Sequence, residues 1–302
     1  MRAGLAEAMA VGPVVLDGGL ATQLEAQGQD LSSSLWSARL LLDDPAAIVE
    51  AHRRYFEAGA RVAITSSYQA SFEGFGAIGI DRAQTETLLR RSVYLAERAR
   101  DEVADGTPRW VAASVGPYGA AMADGSEYRG TYGLSVDELR RWHAPRLAVL
   151  VDAGADLLAL ETVPCLAEVE ALLAGIDGSG TTCWLSLTCD GDRTRAGEPA
   201  REAFTMARDV AEVIAVGVNC TAPADVAELV ASAADASGKP VVVYPNSGEG
   251  WDATQRAWTG SATFAEGQVE DWVVRGARLV GGCCRVGPGE IGSVAARIAG
   301  TA

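Results

Sequence analysis

The sequence predicts a (β/α)₈ barrel, an α/β fold of the TIM type closed by parallel strands. Three observations predict it. Short, unbroken apolar runs recur along the 302 residues at 14–16, 62–64, 110–115, 157–160, 184–187, 214–218, 241–244 and 279–280. Runs of that kind suit parallel strands buried on both faces. Longer amphipathic segments alternate with them, and a barrel of this type takes about 250 residues. Finally, one local pattern appears three times just ahead of an apolar run: Ala58-Gly59-Ala60-Arg61-Val62, Ala153-Gly154-Ala155-Asp156-Leu157 and Arg275-Gly276-Ala277-Arg278-Leu279. Each places a glycine where a helix ends in a left-handed residue, then steps into a strand. The competing architecture, an open doubly wound sheet, is disfavoured because no Gly-x-Gly-x-x-Gly follows the first run.

Taken in order, residues 1–12 read as a frayed start with no secretory signal. Asp44-Pro45 offers an N-cap and a first-turn proline for a helix over 45–57. A second helical pattern covers 82–100. Ser135-Val136-Asp137-Glu138 has the capping-box form and opens a helix to about residue 152. Residues 222–236 form another, with fainter patterns over 202–213 and 288–298. Two long loops, 18–44 and 117–134, follow the first and third strands. Both lie at the C-terminal ends of their strands, where a barrel carries its active site. No linker rich in Pro or Ser interrupts the chain, so residues 1–302 read as one domain.

Hydrophobic residues make up 48% and charged residues 22%, ordinary for a globular protein. No run approaches the ~18 apolar residues of a membrane helix. The net charge of −15 repels phosphate backbones and anionic lipid, so neither nucleic acid nor membrane is an expected partner. The expected compartment is the cytoplasm, and the expected assembly a monomer or small homo-oligomer. In that setting six cysteines point to metal or catalytic use rather than structural disulfides.

The residues just after each strand are informative. They include Asp17-Gly18-Gly19, Thr65-Ser66-Ser67-Tyr68, Glu161-Thr162, Asn219-Cys220, Tyr244-Pro245-Asn246 and Gly281-Gly282-Cys283-Cys284. Cys220, Cys283 and Cys284 suggest a three-thiolate metal site. Thiolates are soft ligands that favour zinc, and three protein ligands leave a fourth position open, as in catalytic sites. Gly281-Gly282 would supply the backbone freedom for both vicinal thiols to turn inward. A vicinal disulfide and plain core packing remain alternatives for Cys283 and Cys284. Cys165, Cys183 and Cys189 read as small buried hydrophobes. Asp17 fits either a helix cap or a contact to a ligand ammonium; Glu161 fits either an ion pair or the same contact.

The segments Leu16-Asp17-Gly18-Gly19, Gly217-Val218-Asn219-Cys220 and Gly281-Gly282-Cys283-Cys284 resemble the three signature segments of the homocysteine S-methyltransferase family, in order and separation. The resemblance extends to its S-methylmethionine-using branch. It is carried by Leu35-Trp36-Ser37-Ala38, Thr65-Ser66-Ser67-Tyr68-Gln69-Ala70, Gly116-Pro117-Tyr118-Gly119-Ala120, Asp124-Gly125-Ser126-Glu127-Tyr128-Arg129-Gly130 and Tyr244-Pro245-Asn246-Ser247-Gly248-Glu249. Together the matches run from about residue 14 to the end.

The resemblance implies that Cys220, Cys283 and Cys284 hold Zn²⁺ and that homocysteine's sulfur takes the fourth position. A coordinated thiol is deprotonated, which makes the nucleophile at neutral pH. The methyl donor would be a sulfonium, S-methylmethionine or S-adenosylmethionine, and needs no general acid. The family's pattern places homocysteine's amino and carboxyl groups near Asp17, Gly18, Gly19 and Glu161. Trp36 is the leading donor contact, since a Trp face attracts a cation, with packing under the first loop as the alternative. Tyr68, Tyr118 and Asn246 are further candidates on the same rim. The chain ends one helix after Cys284, unlike the longer betaine-using members, and lacks the domains a corrinoid enzyme would need. Selenohomocysteine or selenocysteine are alternative acceptors. A reading from another class is a thiol redox or metal-binding barrel protein using Cys283 and Cys284, which would leave Asp17, Glu161 and Cys220 without a role.

Overall fold

The computed structural model describes residues 4–31, 35–103, 105–252, 257–264 and 267–300. Eight parallel strands form one sheet. They are β1 (Val14–Val15), β2 (Val62–Ile64), β3 (Trp110–Val115), β4 (Leu157–Val163), β5 (Cys183–Leu187), β6 (Val213–Asn219), β7 (Val241–Tyr244) and β8 (Ala277–Val280). Each pairs with its neighbour in sequence, and β1 pairs with β8 through Val14↔Leu279. A parallel bridge between Leu16 and Val62 joins β1 to β2 and closes the barrel. Arg61 N and Asp17 N reinforce that seam, donating to Val15 O at 2.8 Å and Val62 O at 3.0 Å. All eight strands stand where the apolar runs predict them.

The helical signals resolve in the same way. Asp44 caps the Pro45–Glu57 helix, its carboxylate accepting from Ala47 N at 3.1 Å. The capping box at Ser135 opens Val136–Asp152, and Arg82–Glu102 and Pro223–Ser237 match their patterns within two residues. Pro288–Gly300 closes the chain. The pattern over 202–213 yields only Ala200–Met206, because the chain must turn before β6 begins at Val213. Leu166–Ile176 is a helix whose nearly continuous apolar sequence shows no polar face to reveal it. Gly59, Gly154 and Gly276 have φ of +110°, +83° and +124°, so the recurring glycine ends helices as its pattern implies.

Side chains alternate along each strand. On β4, Leu158 and Leu160 pack outward against the helices, while Leu157 and Ala159 join the cluster that fills the barrel. Trp110, Trp184 and Tyr244 are the bulkiest members of that inner cluster. The alternation then assigns the last inward position of five strands to a polar residue: Ser114, Glu161, Ser186, Asn219 and Tyr244.

One expectation is corrected. Within residues 1–12, expected to fray, Leu5–Val11 is a helix; residues 1–3 lie outside the described residues. Leu5 and Met9, one turn apart, are 5% and 2% exposed and belong to the inner cluster. The helix runs directly into β1, so it covers the N-terminal end of the barrel, where the apolar interior needs a lid. A pair of apolar residues in so short a helix gives little periodic signal. Met9→Ala should therefore lower the unfolding free energy by about 2–5 kcal/mol in urea titrations. A frayed segment would lose nothing.

Candidate active site

The inward polar layer is one hydrogen-bonded system. The Ser114 hydroxyl donates to Glu161 Oε1. Tyr244 OH donates to Glu161 Oε2 at 3.1 Å, accepts from Trp184 Nε1 at 3.0 Å and lies 2.7 Å from Ser186 Oγ. Asn219 Oδ1 accepts from Ser186 Oγ at 2.8 Å and from Thr162 N at 2.7 Å. Asn219 Nδ2 completes the set by donating to Thr162 Oγ1 at 2.7 Å. Thr162 has φ +59° and Cys220 has φ +48°, positions that a β-branched residue and a cysteine rarely take. Such backbone costs about 1–3 kcal/mol per residue and persists where neighbours over-determine it. Here the Asn219 amide grips Thr162 twice and turns the chain into Cys220.

The three predicted thiols meet. Their sulfurs lie within 4.8 Å of one another, and Cys220 Sγ is 2.6 Å from Cys283 Sγ. Cys220 is buried, while Cys283 and Cys284 are half-buried. β6 and β8 are not neighbours, and β7 between them supplies the ties. Cys220 N donates to Tyr244 O at 3.3 Å, and Cys283 N to Pro245 O at 2.7 Å. Cys284 N donates to Asn246 Oδ1 at 3.2 Å. Asn246 thus holds the cysteine backbone. Hydrogen bonds from Cys220 and Cys283 hold the Cys284 thiol well below the usual thiol range. The same hydrogen bonds, to Cys220 and then Cys284, push the Cys283 thiol up, with burial adding to them. One thiolate forms easily, and further negative charge calls for a cation. The thiols of Cys165, Cys183 and Cys189 stand apart from this set, and burial pushes each up to about 12.

Gly281 and Gly282 act differently from the expected turn. Neither has positive φ. A Cβ on Gly281 would lie 2.6 Å from Asp17 O, and one on Gly282 2.1 Å from the Val286 side chain. Gly281 is a glycine because the β1 and β8 loops touch there, and Gly282 because its own turn folds Val286 back onto it. Gly18 and Gly19 meet the same constraint from the other side, with Cβ positions 2.3 Å from Val286 O and 2.5 Å from Cys283 O. The Tyr55 hydroxyl sits between the loops, 2.8 Å from Gly19 O and 3.1 Å from Val286 O.

Asp17 is 1% exposed. Its Oδ2 accepts from Ile64 N at 2.8 Å across the β1–β2 seam, while Oδ1 is buried without a partner. It does not cap the following helix, whose N-cap is Gly19. Burial, with Glu161 nearby, pushes its carboxyl well up. Glu161 makes no ion pair with a described residue; burial pushes its carboxyl up to about 7 against the hydrogen bonds from Ser114 and Tyr244. Two acidic groups thus face the interior without a cation.

Tyr68 packs on Gly116, whose Cβ position is 2.7 Å from the ring. Burial raises its hydroxyl pKa, and negative charge on Cys220, Glu127 and Glu161 adds to the rise. Tyr118 packs edge-on against Tyr132 and Trp142, each 5.2 Å away, so its ring contacts lie in an aromatic cluster and not among the thiols. Trp36 opens a turn, Trp36–Arg39, and its side chain lies outside the described residues. Sequence reasoning left Ser114, Ser186 and Thr162 aside and gave no role to Asn219, Tyr244, Glu127 or Tyr128. For the inward layer the signal was available: continuing the period of two past Leu157 and Ala159 lands on Glu161, and past Trp110 and Ala112 on Ser114.

Comparison with known proteins agrees with this geometry. The family model described as Homocysteine S-methyltransferase matches residues 14–298. Homocysteine S-methyltransferase YbgG of Bacillus subtilis strain 168 is 42% identical over 294 residues, covering 94% of this chain and 93% of its own. Homocysteine S-methyltransferase of Escherichia coli K12 is 43% identical, covering 94% of each. The crystal structure of the homocysteine methyltransferase MmuM from Escherichia coli in its metallated form superposes with a TM-score of 0.85 at 41% identity, covering 95% of this chain and 96% of that one. With the same barrel, and that similarity along almost its whole length, the chain belongs to the homocysteine S-methyltransferase family of enzymes.

Proposed function

We propose that this enzyme moves a methyl group from a sulfonium donor, S-methylmethionine, to the sulfur of homocysteine held at a zinc ion by Cys220, Cys283 and Cys284. The observation that carries it is the meeting of three thiols from two strand ends beside two buried, uncompensated carboxyl groups. The donor set fits the metal. Tetrahedral zinc with Zn–S bonds near 2.3 Å sets sulfurs about 3.8 Å apart. The cluster is of that size, and the closest pair, at 2.6 Å, would open to admit the ion. The metallated form named for the Escherichia coli relative supports metal binding by this chain. When bound, zinc lowers the pKa of a coordinated thiol and keeps it as a nucleophilic thiolate.

The chain's own residues do the rest. Asp17 Oδ1 and the Glu161 carboxylate receive the ammonium of homocysteine, which supplies the missing cation. The Gly18-Gly19 loop lies against Cys283, so the amino acid and its sulfur are held by one rigid unit. Trp36 and Tyr68 are the aromatic candidates for the donor's side, and Asn246 keeps Cys284 in register. The methyl carbon forms a bond to the thiolate sulfur as its bond to the sulfonium breaks. The electron pair stays on the donor's sulfur, which leaves as a neutral thioether. With S-methylmethionine both products are methionine; the thiol proton of homocysteine is released to solvent when its sulfur binds, and no proton moves in the transfer itself. The work left to the protein is alignment of the two sulfurs.

Freshly reduced protein mixed with homocysteine and S-methylmethionine should form methionine, detected by chromatography, and a chelator should abolish it. Cys284→Ser should lose both zinc and activity, the latter by about 100-fold or more. A zinc-loaded protein that makes methionine from neither S-methylmethionine nor S-adenosylmethionine would sink the reading. A second prediction concerns pH. Between about 4.5 and 7 folded Glu161 keeps a proton that the unfolded chain has lost, so stability falls as pH rises through that window. Asp17 acts in the same direction. The melting temperature of ligand-free protein should drop from pH 5 to pH 7, and Glu161→Gln should flatten the slope.

A further inference from the structure

The loop after β3 carries a buried carboxylate that makes no ion pair among the described residues. It runs through the short helix Tyr118–Met122, then left-handed Ala123 and Gly125, into the turn Ser126–Tyr128. The loop is packed down hard. A Cβ on Gly119 would lie 2.3 Å from Glu127 N, and one on Gly130 2.7 Å from Pro164 O. Asp124 Oδ1 accepts from Ser126 N at 2.9 Å, and Gln69 Nε2 donates to Ala120 O at 3.2 Å. Glu127 itself is 9% exposed, and its Oε2 is buried without a hydrogen-bond partner. Arg129 acts on it only through its charge and pairs with Asp124 instead, at 3.6 Å.

The placement of that carboxylate is the second observation. Glu127 stands close enough to Cys284 and to Tyr68 for their charges to interact. Tyr128, the next residue, feels all three cysteines of the cluster. Tyr68 packs on Gly116 just after β3, Glu127 is near enough to Cys284 for their charges to interact, and Tyr128 carries the Arg195 guanidinium 5.8 Å over its ring. An ionised carboxylate there is poorly solvated and repelled by the thiolates, so the site lacks one positive charge. Asp17 and Glu161 already provide for the ammonium of homocysteine on their own side.

We infer that Glu127 is a donor-specificity residue, its carboxylate receiving the positive charge of the sulfonium methyl donor beside the Tyr68 ring. The assignment rests on the methyl-transfer reading above. It makes the β3 loop select a cationic methyl donor, because a neutral one would leave the carboxylate buried and unpaired. The two substrates then have separate acidic recognition points, Asp17 with Glu161 for one and Glu127 for the other.

The test is steady-state kinetics of Glu127→Gln and Glu127→Asp, varying S-methylmethionine and homocysteine in turn, with zinc content measured on each protein. Loss of a charged hydrogen-bond partner should raise the donor KM of Glu127→Gln about tenfold or more. The homocysteine KM and zinc content should stay at wild-type values, and Glu127→Asp should recover part of the donor affinity. A donor KM that does not change overturns the proposal. So does a parallel rise of both KM values with loss of zinc, which would mark a structural role. If the wild-type enzyme forms no methionine from any sulfonium, the reaction assignment fails, and calorimetric titration of S-methylmethionine decides this one separately. Wild-type binding about tenfold tighter than that of Glu127→Gln supports it; equal or undetectable binding overturns it.

Discussion

The mouth of this barrel depends on how the inward polar layer satisfies itself. A closed barrel fills its interior with side chains, and here the filling changes from apolar to polar at the last inward position of five strands. A buried polar atom left unpaired costs about 1–3 kcal/mol. Ser114, Glu161, Tyr244, Ser186 and Asn219 avoid most of that by bonding to one another around the ring. The same bonds hold Thr162 in left-handed backbone and aim Cys220. Catalytic geometry and core satisfaction are one network, so a change in Asn219 or Tyr244 acts on both.

A second constraint joins strands that are not adjacent. Cys220 follows β6 and the vicinal pair follows β8, so no sheet pairing brings them together. β7 lies between and binds each: its Tyr244 carbonyl takes Cys220 N, its Pro245 carbonyl takes Cys283 N, and its Asn246 amide takes Cys284 N. On the far side of β8 the Gly18-Gly19 loop fits against the cysteine turn with no room for a Cβ. The thiols thus sit on a rigid frame built from four strand ends, which holds their mutual geometry.

The electrostatics follow from the same packing. Asp17, Glu161 and Glu127 are buried carboxyl groups with raised pKa, gathered around three thiols in a chain of net charge −15. Arg285, beside Cys284, is turned away into a pair with Glu249 at 3.0 Å. So acidic a mouth favours a metal cation, an ammonium and a sulfonium in turn. The ligands of the proposed reaction are those that relieve the strain of assembling it.

By itself the sequence determined the barrel, the order of its strands and the three cysteines that meet at its mouth. Apolar runs too short for anything but buried strands recur eight times, and Gly59, Gly154 and Gly276 end helices by a local rule of backbone sterics. The cysteine segments are equally local and are legible from their neighbours. Tertiary structure alone decided what each polar residue touches. That Gly281 is required by contact with Asp17, and not by its own torsion angles, depends on two loops more than 260 residues apart in the chain meeting across the β1–β8 seam. That Tyr118 turns into an aromatic cluster, that Asn246 serves the cysteine backbone, and that Leu5 and Met9 close the barrel depend likewise on contacts between distant segments. Local pattern carries the period of an element and the capping of its ends. It carries no record of which distant atom will lie within hydrogen-bond reach once the barrel closes.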